Sequence, residues 1–370
     1  MISRILFLLF IAVSAYGQAE KHAQTPRVNL VYSSDLYWPP DDPDDYFDLA
    51  TLFAIQEIDV LGIILDQQLY SKRPQSEGTG AVPLKQIFSI AGRTAPFAIG
   101  LRTPLKRVGD PGIDQDSVCQ EGVELLIRCL ERSETPVVLL TVGTLRYIAA
   151  AYNRNPGLFR AKVSRIYLNA GIYGFPQGRF DVNLEKDRNA FLAIMKSGLS
   201  VYWAPCFGDD NYETFWHLDQ RPVLETALPE LQNYFLRAFS KGRGMQEARG
   251  DSGDADPVAI LGRPVVKEEM ERVYGMTRNM WSTVTFLHAA GLKIYRNNRG
   301  EYTASRQPIG DFEEEIKPYT FKKMTLSIDD EGRLHSGDPG NITVYVFHKD
   351  DPGLYRSALE GILKRKFSGF

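Results

Sequence analysis

The sequence is poor in cysteine. Its 370 residues include three, Cys119, Cys129 and Cys206, and no CxxC spacing, so neither a disulfide framework nor a cysteine-rich zinc site is expected. On one helix, Cys119 and Cys129 would stand about 15 Å apart at 1.5 Å rise per residue, beyond the reach of a disulfide. All three are expected to behave as small buried apolar side chains. Positive charge is not in excess either: 43 Lys and Arg oppose 46 Asp and Glu, for a net charge of −3. The basic residues are dispersed, which excludes the basic stripe of a nucleic-acid-binding surface. Beyond the first 17 residues no apolar run is long enough to span a bilayer. A glycine-rich phosphate loop, a nucleophile elbow and an HExxH are all missing, as is the acid order of an EF-hand. There is no internal repeat and no low-complexity linker.

What is present begins with "MISRILFLLFIAVSAYGQ". A positive flank, a short apolar core and a small-x-small site predict a secretory signal over residues 1–17. The mature chain is expected to start near Gln18 and to be secreted or periplasmic. From there, short apolar runs alternate with helical patterns: "VNLVYSS" (28–34), "DYFDLATLFAI" (45–55), "VLGIIL" (60–65), "AVPLKQIFSIAG" (81–92), "PFAIGL" (96–101), "GVELLIRCLERS" (122–133), "PVVLLTVG" (136–143), "LRYIAAAYNRNP", "VSRIYLNAG" (163–171), "RNAFLAIMKSG" (188–198) and "SVYWAPC" (200–206). Strands that are apolar throughout are buried on both faces. The pattern therefore predicts an α/β fold, an open, mostly parallel sheet with helices on both faces. One domain over 18–370 is expected, with excursions around 207–255 and 292–340. The first carries a helix in "LPELQNYFLRAFSKG". The second opens with a hairpin about Asn298-Arg299-Gly300, and the chain closes on a strand and an amphipathic helix (341–367). Ligands of such sheets bind beyond the carboxyl ends of the strands. The segments following strands 28–34, 136–143 and 163–171 are thus expected to converge.

The first of these segments reads "DLYWPPDDPDDYFDLATL" (35–52) and holds Asp35, Asp41, Asp42, Asp44, Asp45 and Asp48. So many carboxylates cannot be ionised and buried without compensation. A solvated turn, a helix N-terminus or a hard, oxygen-liganded cation each supply it. The cluster follows a strand expected to be central, and Asp44 and Asp45 open an apolar helix with no polar spacer, so the buried alternatives are favoured.

This entry motif resembles that of the inosine/uridine-preferring nucleoside hydrolases. Further segments are similar in the same order: "VLGIILD", "FSIAGRTAPFAIGLRTPL", "LLTVGTLRYIAAAYNRNPGLFRAKVSRIYLNAG", "FDVNLEKDRNAFLAIMKSGLSVYWAP", "DADPVAILGRP" and the closing strand and helix. The resemblance implies calcium-dependent hydrolysis of an N-glycosidic bond in a ribonucleoside or related glycoside. Asp35 would be the base for the attacking water and a metal ligand. Asp45, the backbone carbonyl of Val142 and Asp256 would complete the metal set, while Asp44, Asp181 and Asn183 would hold the sugar hydroxyls. A small-molecule nucleoside or glycoside is the implied partner, and a homo-oligomer is compatible with the family. Ala255 stands where the family has a histidine beside the departing base, and "LYWPP" lengthens the loop after Asp35, leaving Asp42 as an alternative upstream ligand. His217 is a substitute acid only if it is not packing or surface. Asp187 is expected to cap the helix from Arg188, and Trp203, Trp216 and Trp281 to pack in the core. Asp41, Asp42 and Asp48 are expected to face solvent or to support the site from behind. The alternative function is a non-catalytic nucleoside- or sugar-binding protein on the same fold. Phosphoester hydrolysis ranks last, because no second metal site can be placed.

Overall fold

The computed structural model describes residues 26–36, 43–66, 80–174, 181–239, 258–335 and 340–370. The leader, Asp41, Asp42, Ala255 and Asp256 lie outside the described residues.

Eight strands form the centre of one sheet: β1 (Val28–Ser34), β2 (Ile58–Leu65), β3 (Phe97–Ile99), β4 (Val137–Thr141), β5 (Val163–Leu168), β6 (Val201–Trp203), β7 (Tyr319–Ile328) and β8 (Ile342–Lys349). Their order is β3-β2-β1-β4-β5-β6-β8-β7, and three two-residue strands extend it beyond β7. Every pairing from β3 to β8 is parallel, and β7 joins antiparallel. The strands alternate between two apolar cores, one on each face. In β1, Leu30 and Tyr32 enter one core and Val31 the other; in β4, Val138 and Leu140 oppose Val137 and Leu139. This is why the strands read as continuous apolar runs rather than as an alternation.

Helices cover both faces. The helices that position the site are α1 (Asp44–Ala54), α2 (Ala81–Ala91), α3 (Ser117–Arg132), α4 (Arg146–Arg154), α5 (Val182–Lys186), α6 (Arg188–Met195), α7 (Thr283–Ala289) and α8 (Pro352–Ser368). α1 is buried from Asp45 to Ala54. Its Phe47, Leu49, Leu52 and Phe53 join the Leu30 core, each contributing roughly 1.5–3 kcal/mol by leaving water. α2 stops where Gly92 turns left-handed at φ 60°, as its glycine predicts. The predicted helix after residue 144 ends at Arg154, and a helix not expected from the sequence, Pro156–Lys162, follows with Asn155 as its cap, because Pro156 has no N–H to continue the first and suits an N1 position. The hairpin in the second excursion forms as Lys293–Arg296 against Tyr302–Ser305. The thiols of Cys119, Cys129 and Cys206 are free. Among the described residues, no helix is long and apolar enough to cross a membrane.

α3 approaches β3 most closely at Gly122. A β-carbon there would lie 2.6 Å from the Ile99 carbonyl oxygen and 2.9 Å from the Gly100 Cα. Both are backbone atoms that cannot swing away, so Gly122→Ala is expected to cost about 1–3 kcal/mol. Calorimetry should show a melting temperature several degrees lower; an unchanged value would refute this close approach.

Candidate functional site

The site is built at the carboxyl ends of β1, β2 and β4. Asp35 directly follows β1, and Asp66 directly follows β2; both are buried. The Asp66 N–H donates to the Ser34 carbonyl at 2.8 Å, and the Val142 N–H to the Ser33 carbonyl at 3.0 Å, so the three strand ends are laced together. Gly143, next to Val142, packs closely against both acids. A β-carbon on it would lie 2.8 Å from Asp66 Oδ2 and 3.2 Å from Asp35 Cβ. The Thr144 N–H donates to Asp66 Oδ2 at 2.6 Å.

The first turn of α1 brings Asp45 to Asp35. Their carboxyls are within hydrogen-bonding reach of each other, and the Ser34 hydroxyl donates to Asp45. Burial pushes Asp45 well above the usual carboxylate range, with the Asp35 charge next in effect. Burial likewise pushes Asp35 up to about 8; Asp66 adds to the rise and Lys186 opposes it. Asp44 is half-buried at the helix start, and its field reaches Asp45 and the Cys206 thiol. Asp48, one turn further on, is buried rather than solvent-facing. It accepts a short hydrogen bond from the Ser282 hydroxyl at the start of α7, and burial raises it to about 7.

The far wall is α5. Asp181 caps it, accepting from the Leu184 N–H at 2.7 Å, and its carboxylate also meets the Gly171 N–H and the Cys206 thiol. The side chain expected to meet the sugar thus also caps a helix, through one of its two oxygens. Asn183 donates Nδ2 to the Val142 carbonyl at 2.8 Å, so the carbonyl expected to face a metal already has one partner and keeps a second lone pair. The Asn183 Oδ1 is buried and accepts no hydrogen bond among the described residues. Asp187 caps α6 through the Ala190 N–H at 3.0 Å, the expected role. Its other oxygen accepts from the Leu105 N–H at 2.9 Å and the Arg146 Nε at 3.2 Å. Arg146, buried, also donates to the Arg102 and Lys186 carbonyls, each at 2.7 Å.

The structure thus brings together Asp35, Asp44, Asp45, Val142, Asp181 and Asn183. Four participants were not found in the sequence: Asp66, Arg146, Lys186 and Ser282. "LGIILD" ends in the signal for Asp66, a single acid closing an apolar strand; the other three carried none. Trp203 and Trp216 are buried, whereas Trp281 is half-buried, its ring 6.1 Å from Phe207 and 5.5 Å from Phe215. His217 is exposed, its ring edge-on to Phe215 at 4.9 Å.

Oxygen donors alone, two of them mutually repelling buried carboxylates, fit a hard divalent cation. Among the described residues no group of three or more His, Cys, Asp or Glu converges as a metal cage, and Asp256 is not among them. The cluster predicts a pH dependence for the chelated protein. Asp35 and Asp48 keep protons when folded that an unfolded chain has released above pH 3.8. Their stabilising contribution, complete below that pH, is lost as pH rises through 7 and 8. The melting temperature should fall between about pH 5 and pH 8. A profile flat across this range would contradict the buried cluster.

No family model matches the chain. A pyrimidine-specific ribonucleoside hydrolase, RihA of Enterobacter sp. (strain 638), is 29% identical over 140 residues, which span 32% of this chain and 44% of that relative. RihA of Escherichia coli O1:K1 / APEC is 24% identical over 261 residues, spanning 63% of this chain and 80% of the relative. Over these stretches the chain is similar to ribonucleoside hydrolases. Among solved nucleoside hydrolases, the inosine-uridine preferring enzyme of Bacillus anthracis is 14% identical, with a TM-score of 0.47 over 92% of this chain and 100% of that one. The plant nucleoside hydrolase PpNRh1 is 14% identical, with a TM-score of 0.49 over 92% and 99%.

Proposed function

We propose that this nucleoside hydrolase relative cleaves the N-glycosidic bond of a ribonucleoside or a related glycoside with water. The observation that carries this reading is the meeting of Asp35 and Asp45 at the end of β1, beside the Asn183 amide that spans to Val142. Asp35 accepts the proton of the attacking water; its buried setting makes it a stronger base than an exposed carboxylate once ionised. Asp44 and Asp45 present negative charge to the ribosyl group as it gains oxocarbenium character. The buried Asn183 Oδ1 is placed to accept a sugar hydroxyl, which fixes the anomeric carbon relative to that water. Asp35, Asp45 and the Val142 carbonyl, with Asp256, would hold calcium, which when bound supplies charge to keep the carboxylates ionised and order around water and the sugar diol.

With Ala255 in place of the family's histidine, that proton donor for the departing base is missing, which favours substrates with good leaving groups. Trp281, one residue from Ser282, offers a half-buried aromatic surface to such a group. We read the leader as a secretory signal, so the reaction would take place in the periplasm or outside the cell. The second reading, a nucleoside- or sugar-binding protein without turnover, follows from Ala255, which leaves the site without the family's histidine. A nucleoside panel separates the two. Release of free ribose that stops on chelation supports hydrolysis, and saturable binding without release supports the binder.

A further inference from the structure

The site contains a cation of its own. Lys186 closes α5 one turn after Asn183, so both side chains lie on the same face of the helix. Asn183 fixes where that face points: its amide donates to the Val142 carbonyl at 2.8 Å. Beside that carbonyl, Gly143 packs against Asp35 and Asp66. The Lys186 Nζ is shut off from solvent, and the carboxylates whose fields reach it most strongly are Asp35 and then Asp66. Its backbone is held as firmly, because the Arg146 guanidinium donates to the Lys186 carbonyl at 2.7 Å and to the Asp187 carboxylate at 3.2 Å.

We propose that Lys186 is a tethered counter-cation of the carboxylate site, sharing Asp35 with any divalent cation and so weakening divalent-cation binding. This rests on the calcium-binding part of the reading above. Asp35 is common to the ammonium and to the expected metal set, so binding a divalent cation brings two positive charges onto one carboxylate in a buried setting. Coulomb repulsion at that range is poorly screened and changes an affinity by about tenfold or more. With no metal bound, the same ammonium offsets part of the repulsion among Asp35, Asp45 and Asp66. Lys186 is a positioning residue in this account; it touches no reacting atom.

The test is calorimetric titration of calcium into the purified wild-type protein and its Lys186→Gln, Lys186→Met and Lys186→Arg variants, each checked for folding by circular dichroism. The neutral variants should bind calcium at least about tenfold more tightly than wild type, and Lys186→Arg, which keeps the charge, should stay close to wild type. Binding by the neutral variants and none by wild type would uphold the role of the lysine and overturn calcium dependence of the native chain. Equal or weaker binding by the neutral variants would overturn the lysine proposal and leave the functional reading standing. No binding by any variant would overturn both. If neither neutral variant folds, Lys186 is a structural member and the proposal fails.

Discussion

Asp45→Asn will remove ribose release from the best substrate by at least about a thousandfold and, in the chelated protein, will raise the melting temperature. Both effects come from one arrangement. Asp45 sits on the buried first turn of α1 in contact with Asp35, and the Asp35, Asp44 and Asp48 charges all push its carboxyl toward the neutral form. Asparagine keeps the shape and can still accept from Ser34, but it brings no charge. On the proposed reading, negative charge beside the sugar and a ligand for a divalent cation are lost, and a source of buried repulsion goes with them. A gain of roughly 1 kcal/mol would appear as a rise of about 1–2 °C in a domain of this size. Stability gained where activity is lost is the usual signature of a strained functional site. Reducing-sugar assays and calorimetry on the same preparation read both. More than a tenth of wild-type turnover remaining, or a lower melting temperature in the chelated variant, would remove Asp45 from the centre of the site.

Arg146→Met is the substitution expected to cost most in stability. The Arg146–Asp187 pair spans 3.2 Å with both side chains almost wholly enclosed, and the guanidinium also satisfies the Arg102 and Lys186 carbonyls. Methionine fills much of the volume but leaves a buried carboxylate without its cation, which costs about 3–5 kcal/mol. At about 1–2 °C per kcal/mol in a domain of this size the melting temperature should drop by roughly 3–10 °C. Burial already holds the Asp187 carboxyl above its ordinary range despite the arginine, so part of the loss will be absorbed by protonation and the drop will be smaller at acidic pH. Arg146→Met with Asp187→Asn should recover a measurable share, since the orphaned charge is gone. A single-variant drop under about 2 °C would mean that the pair contributes little.

The strands and helices were legible because each depends on local pattern. β1 matches its predicted run of residues 28–34, and α1, α2 and α6 differ from their predicted spans at the ends only. The capping role of Asp187 was legible for the same reason. Boundaries moved where one residue intervened, as at Pro156. The site was legible only where its members are neighbours in the chain. Asp35, Asp44 and Asp45 announce themselves by clustering, and Asn183 by its place in an acid-x-Asn motif. The spacing left Asp48 open between solvent and a supporting place, and Ser282, 234 residues away, buries it. Asp66 meets Thr144 across 78 residues and Arg146 meets Asp187 across 41; no periodicity records such encounters.

Chain order and apolar periodicity therefore determined a parallel sheet with an acidic mouth at its first strand, since both follow from contacts within a few residues. Which carboxylates touch, which of them also caps a helix, and that a lysine's field reaches them were decided by the packing of β1, β2 and β4 against α1 and α5. Charges separated by scores of residues acquire shared fields only when burial removes the water between them.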